Sequence, residues 1–431
     1  MIERRVSVVG AGLAGCEAAY QLAKRGYGVD LFEMKPGKKS PAHTSDAFCE
    51  LVCSNSLRSD RLENAVGLLK AELRILDSLV LRIADETRVP AGGALAVDRE
   101  GFAASVTEEL TNNTNIKIHS GEVVRLPEPP AIIATGPLTS DALAEQIALA
   151  FGEPLHFYDA AAPIVSFDSI DMTKVYRASR YGRGDDYLNC PMTKDEYFVF
   201  YRALITAETA ELRAFETPRV FEGCMPVEVM AKRGELTLCY GPMKPVGLET
   251  EDNAPFAVVQ LRQDDKDGRL YNIVGFQTNL KFSEQKRVFG MIPGLEHAEF
   301  VRYGVMHRNT FLPSPKLLTF DYQAKSVPGL FFAGQMTGVE GYVESASSGF
   351  AAAIGMDRYL RGLSPLDFTA KTAIGSLGHY VAEYAGDDFQ PMNVTFGIMD
   401  PPQKRIRNKR ERYAVLAERA LGIINELRGE C

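Results

Sequence analysis

The feature that most constrains the fold of this chain is a glycine-rich turn after its first predicted strand. The run Arg5-Val6-Ser7-Val8-Val9 leads into Gly10-Ala11-Gly12-Leu13-Ala14-Gly15, which has the spacing G-x-G-x-x-G. In this pattern the first glycine forms a tight turn, the second lets a pyrophosphate approach the backbone, and the third lets the next helix pack on the strand. The N-terminus of that helix offers free N–H groups to the phosphates. The sequence therefore predicts a βαβ unit that binds a dinucleotide.

An acidic residue supports this prediction. Glu33 ends the second predicted strand, at the place where a carboxylate accepts hydrogen bonds from the ribose of a dinucleotide. This carboxylate argues against a 2′-phosphate at that place, but it does not distinguish FAD from NAD. A purely structural glycine turn is the alternative. The order of strand, turn, helix, strand and acid argues against it.

Composition narrows the class of protein. The 431 residues are enough for two or three domains, and 45% hydrophobic with 24% charged residues is typical of a globular protein. The net charge of −8 means that any RNA-binding face must be a local basic patch. Seven irregularly spaced cysteines indicate free thiols in a reducing compartment. With no membrane-length apolar run and no room for a signal peptide before the first strand, we expect a cytoplasmic protein without membrane association.

The chain divides into three stretches by character. Residues 1–151 carry the dinucleotide fingerprint and are expected to form the first part of an FAD-binding domain. Residues 152–306 are richer in Tyr and Phe and contain alternating runs, which predicts an inserted α+β domain. Residues 307–431 return to the nucleotide domain and end in a basic helix. The expected fold class is α/β, a Rossmann-like FAD-binding domain of the glutathione-reductase type with an inserted α+β domain.

Two later strands are predicted to return to the cofactor sheet. One ends in Thr135-Gly136 and the other ends in Gly334-Gln335. Many flavoproteins have Gly-Asp at the second place, where the acid holds the ribityl chain, and the amide of Gln335 could form a hydrogen bond there instead. A second element that contacts the cofactor favours FAD, which stays bound, over exchangeable NAD.

One cysteine stands out as a candidate reactive group. Cys53 is followed by Ser-Asn-Ser and then by Arg58, and a nearby cation with hydroxyl donors favours a thiolate. The alternative is a small buried hydrophobic residue, which we retain for Cys49. We expect no metal site, because no second Cys or His pair has matching spacing.

A second cysteine lies in an irregular stretch of the predicted inserted domain. Cys224 stands between a glycine and Met-Pro, outside any regular strand or helix pattern. Its acidic neighbours Glu222 and Glu228 disfavour a thiolate, whereas Lys232, Arg233 or Lys244 would favour one. The sequence does not show which group is nearer.

Two clusters of basic residues are candidates for binding phosphates. The first interleaves Arg177 and Arg180 with tyrosines, and the second is the predicted C-terminal helix with Lys404, Arg405 and Arg407. In each case a solvated charged face is the alternative.

Taken together, these motifs resemble the folate- and FAD-dependent tRNA (uracil-5-)-methyltransferases, the TrmFO family, which is related to the MnmG/GidA flavoproteins. The most specific stretches are Cys-Ser-Asn-Ser-Leu-Arg-Ser-Asp at 53–60 and Gly-Pro-Met-Lys-Pro-Val-Gly-Leu at 241–248. The match covers nearly the whole chain in order. It also includes residues 10–15, 33–36, 64–70, 134–140, 275–278 and 338–342.

The resemblance implies a reaction in which a thiolate adds to C6 of uracil and makes C5 nucleophilic. Cys224 is the family's candidate for that attack, and Cys53 is expected near the flavin, where it removes the C5 proton or captures the methylene group. His307 matches a family position that stacks on the folate pterin; a structural hydrogen bond is its alternative. The methylene group comes from 5,10-methylenetetrahydrofolate by way of FAD, and NAD(P)H restores the reduced flavin.

The resemblance also implies tRNA as the partner, with the T-loop uridine converted to 5-methyluridine. That base must leave its stack, which requires a flipped nucleotide and a basic approach surface, and the two basic clusters are the candidates. Three alternatives remain: a flavin- and NAD(P)H-dependent dithiol oxidoreductase that uses Cys53 with Cys224, a wobble-uridine tRNA-modifying flavoprotein, and a non-catalytic flavin-bound RNA-binding factor.

Overall fold

A computed structural model describes residues 5–40, 42–152, 154–210, 225–249 and 254–431. The strands are, in chain order, β1 Arg5–Val9, β2 Gly28–Glu33, β3 Ser56–Ser59, β4 Arg88–Val89, β5 Ala94–Val97, β6 Ile116–Ser120, β7 Ala131–Ile133, β8 Leu155–Ala160, β9 Ile164–Ser166, β10 Tyr176–Arg177, β11 Tyr187–Met192, β12 Ala257–Gln263, β13 Leu270–Ile273, β14 Phe300–Arg302, β15 Met306–Phe311 and β16 Leu330–Phe332. The helices are α1 Leu13–Lys24, α2 Ala65–Ile75, α3 Leu79–Glu86, α4 Arg99–Thr111, α5 Asp141–Phe151, α6 Lys194–Thr206, α7 Val227–Ala231, α8 Thr237–Tyr240, α9 Phe282–Phe289, α10 Ser314–Leu317, α11 Tyr342–Arg361, α12 Ala373–Glu383 and α13 Lys409–Leu427.

The first layer is a parallel sheet of five strands in the order β16-β7-β1-β2-β6. Every neighbouring pair in it is parallel, so the chain must cross over between strands, as a doubly wound fold does. The two strands that were predicted to return to the cofactor sheet are β7 and β16, and they pair with each other beside β1. The predicted α/β class is confirmed.

Helix α1 follows the glycine-rich turn and packs closely against α11. Ala14, Ala18 and Leu22 are buried at helical spacing, as the sequence pattern predicts. A Cβ atom on Gly349 of α11 would lie 2.2 Å from the carbonyl oxygen of Ala14. The crossing therefore requires a glycine at this point, and the two helices together fix the turn that precedes α1.

The second layer is a sheet of six antiparallel strands in the order β10-β11-β12-β13-β9-β14. It has its own hydrophobic core, in which Tyr197, Phe200 and Phe276 are fully buried. Strands β8 and β15 form an antiparallel ribbon that pairs over all six residues, from Leu155–Phe311 to Ala160–Met306. This ribbon lies between the parts of the chain that build the two sheets, with β8 leading into the six-stranded sheet and β15 leading out of it.

Two buried carboxylates connect helices of the first layer. Glu17 on α1 accepts hydrogen bonds from the backbone of Leu79 and Val80, and Glu72 on α2 accepts two from Ala373 and Ile374. Each carboxylate lies at a helix N-terminus, where the free N–H groups and the helix dipole favour it. Burial nevertheless raises the pKa of Glu72 to about 7.

The end of the chain differs from the sequence-based prediction. Helix α13 begins at Lys409, capped by the side chain of Asn408, whose oxygen accepts hydrogen bonds from the N–H groups of Arg410 and Glu411. Lys404, Arg405 and Arg407 therefore precede the helix, and their placement in a basic helix was wrong. An Asn in the middle of the basic run favours a helix start, because its side chain caps the free N–H groups. Among the described helices, none combines the length and the apolar character needed to cross a bilayer.

Candidate functional site

A cavity of about 550 Å³ lies at the carboxyl ends of the parallel strands. In open α/β sheets this edge is where ligands bind, and the volume is within the range of small-molecule and cofactor sites. The cavity extends from the glycine-rich turn to the six-stranded sheet. Lining residues that were predicted from the sequence are Gly10, Ala11, Gly12, Leu13, Ala14, Glu33, Cys53, Thr135, Gly136, Gly334 and Gln335.

The three fingerprint glycines have three different surroundings. A Cβ on Gly10, whose φ is +101°, would lie 2.6 Å from the carbonyl oxygen of Ala134, and one on Gly15 would lie 1.8 Å from that of Gly10. These two glycines are therefore required by packing within the protein. A Cβ on Gly12 would meet no atom within 4 Å, because this glycine faces the cavity. The open space at Gly12 fits a pyrophosphate that approaches the backbone.

Glu33 holds the fingerprint turn in place. Its two carboxylate oxygens accept hydrogen bonds from the backbone N–H of Ala11 at 2.8 Å and of Lys35 at 3.0 Å. The side chain is buried but lines the cavity, and each oxygen keeps a lone pair that can accept another donor. The residue can thus brace the turn and still bind a ribose hydroxyl.

The ends of β7 and β16 also line the cavity. Gly136 and Gly334 have φ values of +69° and +84°, which favour glycine at both places. Gln335 lines the cavity, and its amide nitrogen donates to the Glu340 carboxylate at 2.5 Å. The sequence pattern did not indicate this acidic partner. The Gln335 amide oxygen remains an acceptor that this pair can offer to a ligand.

Cys53 lines the same cavity where α11 begins. Its backbone N–H donates to the hydroxyl of Tyr342 at 2.8 Å, and its Sγ lies 3.5 Å from the carbonyl oxygen of Ala160. The thiol is half-buried. The Tyr342 hydroxyl also accepts the N–H of Ser54 at 3.3 Å, and burial raises the pKa of this phenol. A neutral tyrosine therefore fixes the loop that carries the thiol.

The cation that contacts the Cys53 loop is not Arg58, which the sequence suggested. Arg58 lines the cavity but pairs with the buried carboxylate of Glu344. Arg262 on β12 instead contacts the loop, with Nη2 2.6 Å from Ser54 Oγ and Nε 3.0 Å from Asn55 Oδ1. Arg262 is more than 200 positions away in sequence, and only its presence as the one charged residue of a largely buried strand could have indicated it.

A buried ion pair joins the two layers beside this loop. Arg99 at the start of α4 donates to both carboxylate oxygens of Asp264, at 2.9 and 3.0 Å. Asn55, fully buried, donates to the carbonyl oxygens of Val97 on β5 and of Gln263 on β12. The loop that carries Cys53 is therefore held from both sides.

Two asparagines on the cavity wall have buried polar atoms without partners. The Nδ2 of Asn272 and both Nδ2 and Oδ1 of Asn309 form no hydrogen bond within the described residues. Unsatisfied buried amides are costly, so such groups are expected to acquire partners from a bound molecule or from water. Their presence in this cavity fits a polar ligand such as the ring system of a flavin or a folate.

The remaining predicted site residues lie elsewhere. Cys224 falls outside the described residues. His307 belongs to β15, two positions before Asn309 on the strand that reaches the cavity. Cys49 is buried and lines the cavity, which agrees with its expected role as a packed residue. Within the described ranges, His, Cys, Asp and Glu form no group of three or more that could hold a metal ion.

The two basic clusters differ in how far their cations are bound within the protein. Arg180 is bound internally, since its guanidinium donates to Gln260 Oε1 and to the carbonyl oxygens of Lys244 and Val246. Arg177 is exposed on the edge strand β10. By contrast, the segment 404–412, hereafter the basic segment, contains six basic residues and one acid. In the described part of the chain none of those six forms an ion pair. The six are Lys404, Arg405, Arg407, Lys409, Arg410 and Arg412.

Comparison with solved structures confirms the Rossmann-like fold. GidA of Aquifex aeolicus, in its form II crystal, superposes with a TM-score of 0.73 at 15% identity, and the alignment covers 100% of this chain and 74% of that one. The form I crystal gives a TM-score of 0.72 at 17% identity. At this level of identity the similarity concerns the fold alone.

Comparison of sequences identifies the family. The family model "Glucose inhibited division protein A" matches residues 5–364. A protein of Listeria monocytogenes serotype 4b (strain F2365), named methylenetetrahydrofolate--tRNA-(uracil-5-)-methyltransferase TrmFO, is 58% identical over 433 residues and covers 100% of both chains. The protein of the same name from Streptococcus pyogenes serotype M1 is 60% identical over 430 residues and covers 96% of each chain. The resemblance noted in the sequence is confirmed, and the chain belongs to the TrmFO family within the GidA group.

Proposed function

We propose that this protein is a methylenetetrahydrofolate- and FAD-dependent enzyme that methylates C5 of the T-loop uridine of tRNA to give 5-methyluridine, with NAD(P)H as the reductant. The observation that carries the proposal is one continuous cavity that contains both the dinucleotide fingerprint and Cys53. The names of the relatives, which specify methylenetetrahydrofolate, tRNA and uracil C5, support the substrate class.

The residues of the cavity fit FAD. The turn at residues 10–15 would hold the pyrophosphate, and Glu33 would hold a ribose. Thr135, Gly136 and the Gln335–Glu340 pair would contact the far half of the cofactor. Bound FAD would supply transfer of the one-carbon unit and of a hydride.

The chain itself would supply the nucleophile and the proton transfers. A thiolate that adds to C6 of uracil makes C5 nucleophilic, and the family resemblance assigns this attack to Cys224. Cys53 borders the cavity beside Tyr342, which suits removal of the C5 proton or capture of the methylene group. His307 would stack on the folate pterin.

Binding of tRNA is assigned to the basic segment, with Arg177 as a second contact. Six exposed or half-exposed cations close together in sequence give a local positive surface on a chain whose net charge is −8. Phosphate contacts of this kind are sequence-independent and sensitive to salt, which suits recognition of a folded RNA by shape. Arg180, tied to three internal acceptors, is the weakest of the proposed tRNA contacts.

The test is transfer of label from methylene-labelled methylenetetrahydrofolate to unmodified tRNA in the presence of NAD(P)H. We expect the label in the T-loop as 5-methyluridine, and its loss in the Cys224→Ala and Cys53→Ala variants. The Cys431→Ala variant is the matched control, because Cys431 lies outside the cavity. Unlabelled tRNA together with NAD(P)H-dependent reduction of a disulfide substrate would refute the proposal in favour of a dithiol oxidoreductase.

A further inference from the structure

Arg262 is a buried cation, and no acid among the described residues forms an ion pair with it. It is 6% exposed, and within the described residues no carboxylate oxygen lies within 4 Å of its guanidinium. Asp264, a neighbouring acid two positions further along the chain, is already engaged by Arg99 through two hydrogen bonds. A buried charge without a counter-charge is costly. Among the described residues, Arg262 is therefore a positive charge without a counter-charge beside the Cys53 loop, on the wall of the cavity.

Asn272 stands next to Arg262 on the neighbouring strand. The two residues are direct partners in the register of β12 and β13, so their side chains lie on the same face of the sheet, and both line the cavity. The Nδ2 of Asn272 is buried and has no hydrogen-bond partner within the described residues. This part of the wall thus offers donors and a positive charge side by side, without an acid.

Such a pair suits an oxygen that gains negative charge. Preorganised donors in a water-poor site stabilise developing charge far better than water-exposed donors do. Two acidic groups near Arg262 do not neutralise its charge. Asp264 is engaged by Arg99, and Tyr187 keeps its hydroxyl hydrogen, which it donates to the carbonyl oxygen of Ala91.

We propose that Arg262 and Asn272 bind the C4 carbonyl oxygen of the target uracil and stabilise the enolate that forms during attack on the base. This inference rests on the proposed function. When the thiolate sulfur forms a bond to C6, the π bond between C5 and C6 breaks, and its electron pair moves through C4 onto O4. The guanidinium and the Asn272 amide would receive this charge. Reprotonation at C5, loss of the original C5 hydrogen to a base and departure of the thiolate return uracil unchanged.

That sequence of steps gives a readout that does not depend on folate or on hydride transfer. In deuterated water the target uridine takes up deuterium at C5 when the enolate is reprotonated there and the original hydrogen is lost to a base, and mass spectrometry of the T-loop fragment measures this exchange. Binding of tRNA and the FAD content are measured on the same preparations. A variant whose structure is disturbed would show a change in tRNA binding or in FAD content.

The two residues need different variants. Arg262→Met removes the charge but also breaks the bonds to Ser54 and Asn55, so it can disturb the Cys53 loop. Asn272→Leu removes an amide whose Nδ2 has no partner within the described residues, and it leaves the bonds of Arg262 to Ser54 and Asn55 in place. Arg262→Lys restores the charge. The exposed Arg269, which pairs with Asp265 and Asp267 in the same domain, gives the matched control Arg269→Met.

We expect C5 exchange to fall about 100-fold in Arg262→Met and at least 10-fold in Asn272→Leu, with partial recovery in Arg262→Lys, as for removal of a donor that acts on a developing oxyanion. The tRNA affinity and FAD content should stay within twofold of wild type in Asn272→Leu and Arg269→Met. Wild-type exchange in Asn272→Leu, or a loss explained by weaker tRNA or FAD binding, would overturn the inference. A wild-type protein that neither exchanges nor methylates the base would refute the proposed function itself, and this inference with it.

Discussion

Lys70 gives the sharpest prediction, because burial changes the pKa of a lysine and so makes the stability of the folded protein depend on pH. Its ammonium group, on α2, donates to the carbonyl oxygens of Leu57 at 2.8 Å and Ser59 at 2.7 Å, and the side chain is fully buried. Burial lowers the pKa of Lys70 from its usual 10.5 to about 7. The two carbonyls flank Arg58, so this lysine fixes a residue on the cavity wall.

The sign and size of the change in unfolding free energy with pH follow from proton linkage. Between pH 7 and 10.5 the unfolded chain holds a proton on Lys70 that the folded chain has released, so the free energy of unfolding rises with pH in this window. The slope is about 1.4 kcal/mol per pH unit, which gives about 2.7 kcal/mol between pH 7.5 and 9.5. For a chain of 431 residues this corresponds to about 3 °C in melting temperature.

The assay compares the melting temperatures of wild type and Lys70→Met at pH 7.5, 8.5 and 9.5. Methionine cannot titrate, so the variant should lack this increment and fall behind wild type by about 3 °C as the pH rises. Lys286→Met removes an exposed positive charge and serves as the control. Parallel curves for wild type and Lys70→Met would refute the reasoning, because they would mean that Lys70 gains and loses its proton alike in both states.

Two further predictions concern the cofactor and the RNA. Gly12→Val should keep the melting temperature of FAD-free wild-type protein but fail to bind FAD, because the new side chain enters the cavity. Gly15→Ala should lower the melting temperature of the FAD-free protein itself, since its Cβ would meet a backbone oxygen at 1.8 Å. Equal effects of the two substitutions on the FAD-free protein would contradict this division. Replacing Lys404, Arg405 and Arg407 by Glu should weaken tRNA binding by 10-fold or more and flatten its salt dependence while FAD stays bound. Unchanged binding would remove the basic segment from the interface.

The fingerprint could be predicted from the sequence because its parts are local. The glycines, the helix after them and Glu33 lie within 24 consecutive residues, and each has a geometric requirement that few residue types meet. The strands β7 and β16 were also predictable, since short apolar runs that end in glycine are typical of the strands of a parallel sheet.

The surroundings of Cys53 were not predictable in the same way. Arg58 is five residues away and was the obvious cation, yet it pairs with Glu344, while Arg262 reaches the loop from a different sheet. Contacts between distant parts of the chain leave no periodic pattern in a single sequence. The Gln335–Glu340 pair was missed for a different reason, because its members are close in sequence but meet only through a tight turn at Gly338, where φ is +89°.

The loop that carries Cys53 is tied both to β5, in the small sheet β3-β5-β4, and to β12, in the six-stranded sheet, and this limits how these parts of the molecule can diverge. Asn55 bonds to β5 on one side and to β12 on the other, and Arg262 reaches back to the same loop. A chimera that exchanges residues 161–305 between relatives should therefore retain an intact cofactor turn and still displace the thiol, if the backbone of β12 shifts or if position 262 no longer bonds to Ser54 and Asn55. The six-stranded sheet is in this sense a part of the candidate site rather than an interchangeable module.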